Sequence, residues 1–141
     1  MTAARITIEA FQDLMLESMP FAVDLGIETL EIGFGTARLR LPFREGFLRP
    51  GGTVGGPILM GLADVALYVA VLGAAGPVPL AVTTNLNTHF LRKPGPAAIL
   101  AEARLLKHGK RLAVGEVALY TEGDPEMIAH VVGTYSLPPR A

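Results

Sequence analysis

The stretch GGTVGGPILMGLADVALYVAVLG, from Gly51 to Gly73, constrains this chain more than any other. It is apolar almost throughout, and it carries one carboxylate, Asp64, near its middle. Between Arg49 and Arg92 no other formally charged side chain occurs. A helix that is apolar on nearly all sides must be covered on nearly all sides. A membrane span needs about 20 mostly apolar residues, so length alone admits one. Pro57 opens the run, Gly73 and Gly76 close it, its flanks are poor in Lys and Arg, and lipid penalises an aspartate. These features favour the core helix of a soluble fold.

Half of the 141 residues are hydrophobic and 18% are charged. That is apolar for so small a chain, and a buried subunit interface is expected. The formal net charge of −1 gives no reason to expect nucleic acid or an anionic membrane as partner. There is no cysteine, which excludes disulfides, thiolate catalysis and cysteine-ligated metals. Glu9, Asp13 and Glu17 interrupt the N-terminal segment, so it does not read as a signal peptide, and a cytoplasmic location is expected.

No repeat, linker or low-complexity tract divides the chain, and one domain over residues 1–141 is expected. Thr7 is placed to cap a helix from Ile8 to about Met19, with Phe11, Leu14 and Met15 on one face, ended by Pro20. Residues 27–32 and 36–41 flank Gly33-Phe34-Gly35 as a hairpin. Its second arm alternates Ala37, Leu39 and Leu41 with Arg38 and Arg40, the period of a half-buried strand. A loop from Pro42 to Gly56 leads into the apolar helix, Pro57 to about Leu72, whose proline suits a first helical turn. Strands follow at 80–91, 99–106, 112–120 and 127–137. The turns between them fall at Pro94-Gly95-Pro96, 107–110 and 122–125, and such short links imply antiparallel pairing.

An unpaired buried carboxylate is costly, so Asp64 needs a compensating reason. A backbone partner, a distant arginine or a wet helix edge would each supply one. Leu62, Val65, Ala66, Leu67 and Val69 leave little polar face, which favours a functional role. Gly55 and Gly56 stand at the entry of the same helix, where free amides carry partial positive charge and receive anions. A rise of about 1.5 Å per residue separates Gly56 from Asp64 by about 12 Å. One small reacting group cannot touch both within one chain. If they cooperate, the aspartate comes from a facing, antiparallel helix of a second subunit.

Four segments, GGTVGGPILMGLADVAL, AVTTNLNTHFLRKP, LAEARLLKHGKRLAVGEVALY and IAHVVGTYSL, occur in that order. With them the chain, from about Phe21 to Leu137, resembles the hotdog-fold acyl-CoA thioesterases of the phenylacetate-degradation (PaaI-like) branch. The resemblance implies an α+β hotdog fold, an antiparallel sheet wrapped around a long central helix. It implies Asp64 as general base or nucleophile, the Gly56 amide as oxyanion donor, and Thr83, with Thr84 as the alternative, to hold water. It further implies substrate contacts at Gly55, Arg49, Leu59, Tyr68 and Asn87, with Met60 and Leu67 beside an acyl tunnel. Coenzyme A would meet Arg92, Lys93, Lys107, Gly109, Lys110 and Arg111, whose types suit phosphate. The implied partners are acyl-CoA and further copies of the chain, as a dimer and a dimer of dimers with the site at the interface. No cofactor is implied beyond the coenzyme A of the substrate.

Three positions depart from the family pattern: Gly55 stands for a histidine, Pro57 for a second glycine and Arg49 for an asparagine. A hydratase of the same fold needs a histidine near the helix start, which is missing here. A non-catalytic acyl-CoA-binding protein or a structural interaction protein stays open. His89, His108 and His130 are scattered without metal spacing. Ser18 and Ser136 lie in no nucleophile elbow, so a Ser-His-Asp hydrolase has no support.

Overall fold

The computed structural model describes residues 2–139. Helix α1 (Ile8–Ser18) begins where the sequence places it, with the Ala10 amide donating to Thr7 Oγ1 at 3.0 Å. Phe11 and Met15 are its buried residues. Pro20 does more than end α1. It opens a second short helix, α2 (Pro20–Leu25), which stops at Gly26 with φ 81°. Nothing in the local sequence announces α2, because it is under two turns long and has no capping side chain.

Strands β1 (Glu28–Gly33) and β2 (Thr36–Leu41) form the expected hairpin. The expected loop from Pro42 to Gly56 is more structured than its glycines suggested. It holds a single 3-10 turn at Glu45–Phe47 and a two-residue ribbon of β3 (Leu48–Arg49) against β4 (Thr53–Val54). Helix α3 runs from Gly56 to Ala75, three residues beyond the expected end near Leu72. Gly73 does not stop it. A Cβ at Gly73 would meet the Gly33 carbonyl oxygen at 2.2 Å, so this glycine lets the helix pass close against β1. Gly76 caps the helix instead, its N–H donating to Leu72 O.

The last four strands are β5 (Val82–Phe90), β6 (Ile99–His108), β7 (Leu112–Thr121) and β8 (Met127–Ser136). They join the hairpin in one six-stranded sheet of order β1-β2-β6-β7-β8-β5, antiparallel throughout. Strand β6 is longer than expected, because a bulge between Leu105 and Lys107 carries the pairing on to His108. The turn that was expected at 107–110 therefore begins at Gly109.

Helix α3 packs against all six strands of this sheet. The strands show the period-two pattern of a sheet with one covered face. Leu39, Leu41, Ile99, Ala101, Val117, Leu119 and Val131 point at the helix and are buried. Leu67 is fully buried where two glycines, Gly115 and Gly133, face each other across β7 and β8. A Cβ at either position would reach a Leu67 methyl within 2.6 Å. The sheet is thus hollowed under one leucine, whose burial contributes about 1.5–3 kcal/mol. By length and hydropathy α3 could cross a membrane, but here most of it is buried, largely by the sheet.

Candidate active site

Asp64 sits on the side of α3 that the sheet leaves half-covered. Thr83 Oγ1 donates to its Oδ1 at 2.7 Å, and the Tyr135 hydroxyl donates to the same oxygen at 2.6 Å. No arginine or lysine pairs with Asp64 among the described residues, and no hydrogen-bond donor reaches its Oδ2. Asp64, Thr83 and Tyr135 line a cleft of about 370 Å³ that also includes Tyr68, Val65 and Met19. Burial, then the Asp64 charge, push the Tyr135 phenol well above its ordinary range. It is therefore a hydrogen-bond donor at any pH near neutrality. Burial raises the Tyr68 phenol too.

Local strand geometry selects between the two threonines. Strand β5 pairs with β8 in a register where Thr83 faces Tyr135 and Leu86 faces Gly133. Leu86 is three positions after Thr83, yet both point toward α3, because a bulge between Thr83 and Asn85 absorbs the odd residue. Thr84 lies in that bulge, and its hydroxyl donates to the Thr134 carbonyl at 3.2 Å, away from Asp64.

Gly56 is the first residue of α3, and Gly55 precedes it as N-cap with no side chain to offer. The Gly55 N–H donates to Phe47 O, and the amides of Ile58 and Leu59 both turn back to Gly55 O. Pro57 has no N–H. Among the described residues this leaves the Gly56 N–H as the one amide of the first turn without an acceptor. The Phe90 ring lies close by, 3.2 Å from where a Cβ at Gly56 would be. Gly56, Leu59, Phe90, Arg49, Arg92 and Lys93 line a second cleft, of about 430 Å³. It shares no lining residue with the Asp64 cleft. Within one chain the free amide and the carboxylate thus open in different places.

The remaining expected site residues scatter. Gly55 is buried beside Gly56. Tyr68 lines the Asp64 cleft, and its hydroxyl donates to Pro79 O at 3.0 Å. Leu67 does not line a tunnel, since the sheet glycines enclose it. Met60 is half-exposed and lines neither cleft. Asn87 is exposed on the outer face of β5, opposite Val132, and so points away from Asp64. The strand alternation that directs Leu86 and Thr88 inward turns Asn87 out.

The cations separate into three groups. Arg92 is ion-paired with Glu126 and lies 3.8 Å from Asp124, while Lys93 stands beside it in the Gly56 cleft. Gly109, Lys110 and Arg111 line a third cleft, of about 590 Å³, together with Arg5 and His108. Lys107 lies with Phe34 and Arg104 in a shallower depression. Arg5 and Tyr135 were not singled out from sequence. Arg5 is far from the other cations along the chain. Tyr135 lies 71 residues from Asp64 in the chain, and only the tertiary register shows their contact.

Comparison with known proteins bears on the family and the fold. The thioesterase superfamily model matches residues 51–128, which contain α3 and most of the sheet. The structure of a candidate thioesterase from Silicibacter sp. TM1040 is 39% identical, with TM-score 0.87 over 96% of this chain and 94% of that one. A mutant of the phenylacetic acid degradation protein PaaI from Thermus thermophilus is 30% identical, with TM-score 0.74 over 83% of this chain and 97% of that one. A candidate esterase of Saccharolobus solfataricus is 33% identical over 79% of this chain and 73% of its own length. The chain therefore belongs to the thioesterase superfamily, as a PaaI-like thioester hydrolase of the hotdog fold.

Proposed function

We propose that the substrate is an acyl-CoA and that Asp64 and the Gly56 amide act on its thioester carbonyl from two protomers. The observation that carries this reading is the arrangement at α3. One carboxylate oxygen is held by hydroxyls, Asp64 lines an open cleft, and among the described residues the other oxygen has no donor and one helix N-terminal amide has no acceptor. The separate clefts favour a homodimer whose two α3 helices face each other in opposite directions, so that each site takes its amide from one copy and its carboxylate from the other. A dimer of dimers in the cytoplasm remains the expected setting.

In the hydrolytic step, Asp64 takes a proton from water as the water oxygen attacks the acyl carbon. The electron pair of the C=O moves to oxygen, and the Gly56 N–H and the positive end of α3 stabilise the oxyanion. Collapse breaks the C–S bond. The thiolate leaves with the proton from Asp64, giving a free acid and coenzyme A thiol. Direct attack by Asp64 through an acyl anhydride, then hydrolysed by water, uses the same atoms. The cleft of Arg5, Lys110 and Arg111 and the pair Arg92 and Lys93 are the two places suited to the phosphates of coenzyme A. Leu59 and Tyr68 are then the side chains that border the acyl group.

The test is an acyl-CoA panel of acetyl-, hexanoyl- and benzoyl-CoA with free thiol detected. Release of thiol that is lost in Asp64→Asn supports the reading. Tight acyl-CoA binding by calorimetry without thiol release overturns it in favour of a binding protein, the reading that the departures at Gly55 and Arg49 leave room for.

A further inference from the structure

Tyr135 ends the inward row of β8, after Val131 and Gly133, and is 4% exposed. It stands between Ala113 of β7 and Thr83 of β5 in the sheet register. Directly opposed residues on neighbouring antiparallel strands hold their Cβ atoms about 4.5–5.5 Å apart. Thr83 and Tyr135 thus approach Asp64 side by side, and both reach Oδ1 rather than one oxygen each. A phenol has one proton to give. Tyr135 has the Asp64 carbonyl within reach at 2.9 Å, yet its shorter contact, at 2.6 Å, is to the carboxylate.

The ring that carries this hydroxyl is held in place. Tyr135 stacks on Tyr68 with centroids 5.9 Å apart and an interplanar angle of 29°. Tyr68 is anchored through its hydroxyl to Pro79 O and meets Phe11 of α1 edge-on at 6.1 Å. A chain of packed rings therefore runs from α1 to the carboxylate. Satisfying a buried phenol does not require such an arrangement, because the backbone carbonyl alone would do so.

We propose that Tyr135 is a positioning residue for thioester hydrolysis. With Thr83 it holds Asp64 through Oδ1 alone, and so assigns Oδ2 as the oxygen that meets water or the acyl carbon. Tyr135 itself does not touch the substrate. This rests on the reading of Asp64 as base or nucleophile, and the two are separable. Two donors on one oxygen oppose rotation of the carboxylate, and among the described residues they leave Oδ2 free of protein donors on a residue that lines the cleft. Orientation of this kind acts on the rate of the chemical step rather than on binding.

The experiment compares Asp64→Asn, Thr83→Ala, Tyr135→Phe and the double variant Thr83→Ala/Tyr135→Phe on hexanoyl- and benzoyl-CoA, with melting temperatures measured alongside. Tyr135→Phe keeps the ring stack and removes only the hydroxyl. It is expected to lower kcat by about 10- to 100-fold, the range for losing one hydrogen bond to a charged group, with KM changed less than about twofold. Because both donors serve one oxygen, either one alone still restrains it. The double variant should therefore lose more than the product of the two single losses.

Native kcat in Tyr135→Phe, with Asp64→Asn inactive, overturns the positioning role and leaves Asp64 standing. Native activity in Asp64→Asn overturns both. Simple multiplication of the single losses, or losses in KM that follow the fall in melting temperature, overturns the shared hold on Oδ1. Should Tyr135→Phe melt below the assay temperature, Thr83→Ala decides alone. With Tyr135 still on Oδ1 it should retain at least about a hundredth of the native kcat, the upper range for one hydrogen bond to a charged group, and complete loss overturns the proposal.

Discussion

The two halves of α3 are both mostly apolar and have opposite circumstances. From Val65 to Ala75 every residue is buried. From Gly56 to Asp64 only Leu59, Leu62 and Ala63 are, and both functional groups proposed here lie on this half. The glycines repeat the contrast. Gly73, in the rear half, has a backbone oxygen 2.2 Å from its Cβ position, whereas Gly61, in the front half, has nothing within 4 Å. The rear half is apolar because the sheet encloses it. The front half is apolar although this chain does not enclose it, which is the pattern of a surface that meets something else. Stability and chemistry are thus assigned to opposite ends of one helix.

Mutations at the two ends should therefore separate rate from stability. At the front, Asp64→Asn keeps an acceptor for Thr83 and Tyr135 and so leaves melting nearly unchanged. Its kcat should fall by about 10²- to 10⁴-fold, the contribution of a general base, as read by thiol release. At the rear, Leu67→Ala empties the notch between Gly115 and Gly133 and should cost about 2–5 kcal/mol in denaturant unfolding. Gly73→Ala drives a methyl into the Gly33 carbonyl and should cost about 1–3 kcal/mol. For both, the folded fraction should keep its rate per site, and loss of rate at full folding would break the comparison.

Gly61→Ala tests the front half by the opposite sign. A mid-helix glycine in open space gains about 0.5–1 kcal/mol on becoming alanine. A loss instead, together with a lower mass by light scattering, would mark Gly61 as a contact between copies.

The smallest expected effect lies on the outer face of the sheet. His130 Nε2 donates to Glu116 Oε1 at 2.8 Å, and Arg104 Nη2 lies 2.5 Å from Oε2. The His130 hydrogen bond, ahead of Arg104, holds the Glu116 carboxyl below the usual carboxylate range. A depressed carboxylate contributes stability above its unfolded value and loses it as pH falls through the folded one. The melting difference between the native chain and Glu116→Gln should thus be present at pH 7, shrink on acidification below the ordinary glutamate range, and weaken with salt. A difference that stays constant with pH would show that the pair contributes packing alone.

The amino-acid sequence makes α3, the hairpin, the four later strands and the lone carboxylate legible, because each is written in a local period or a single charge. Neither α2 nor the β3–β4 ribbon was legible there, since both are short and have no period to detect. Asn87 and Leu67 show the same limit at the site. Each has a suitable residue type in a suitable segment, and the strand face or the glycine notch decides otherwise.

By itself the sequence determined that an apolar helix with one aspartate needs a sheet to cover it, and that a glycine-glycine-proline entry leaves a helix amide free. Tertiary structure decided which threonine reaches Asp64, that Tyr135 joins it on the same oxygen, and that Gly56 and Asp64 open to separate clefts. The physical reason is one of range. Hydrophobic period and helix capping act within a few residues. A bulge in β5 and the register of β5 on β8 bring together groups 71 residues apart in the chain, and no local pattern encodes that meeting.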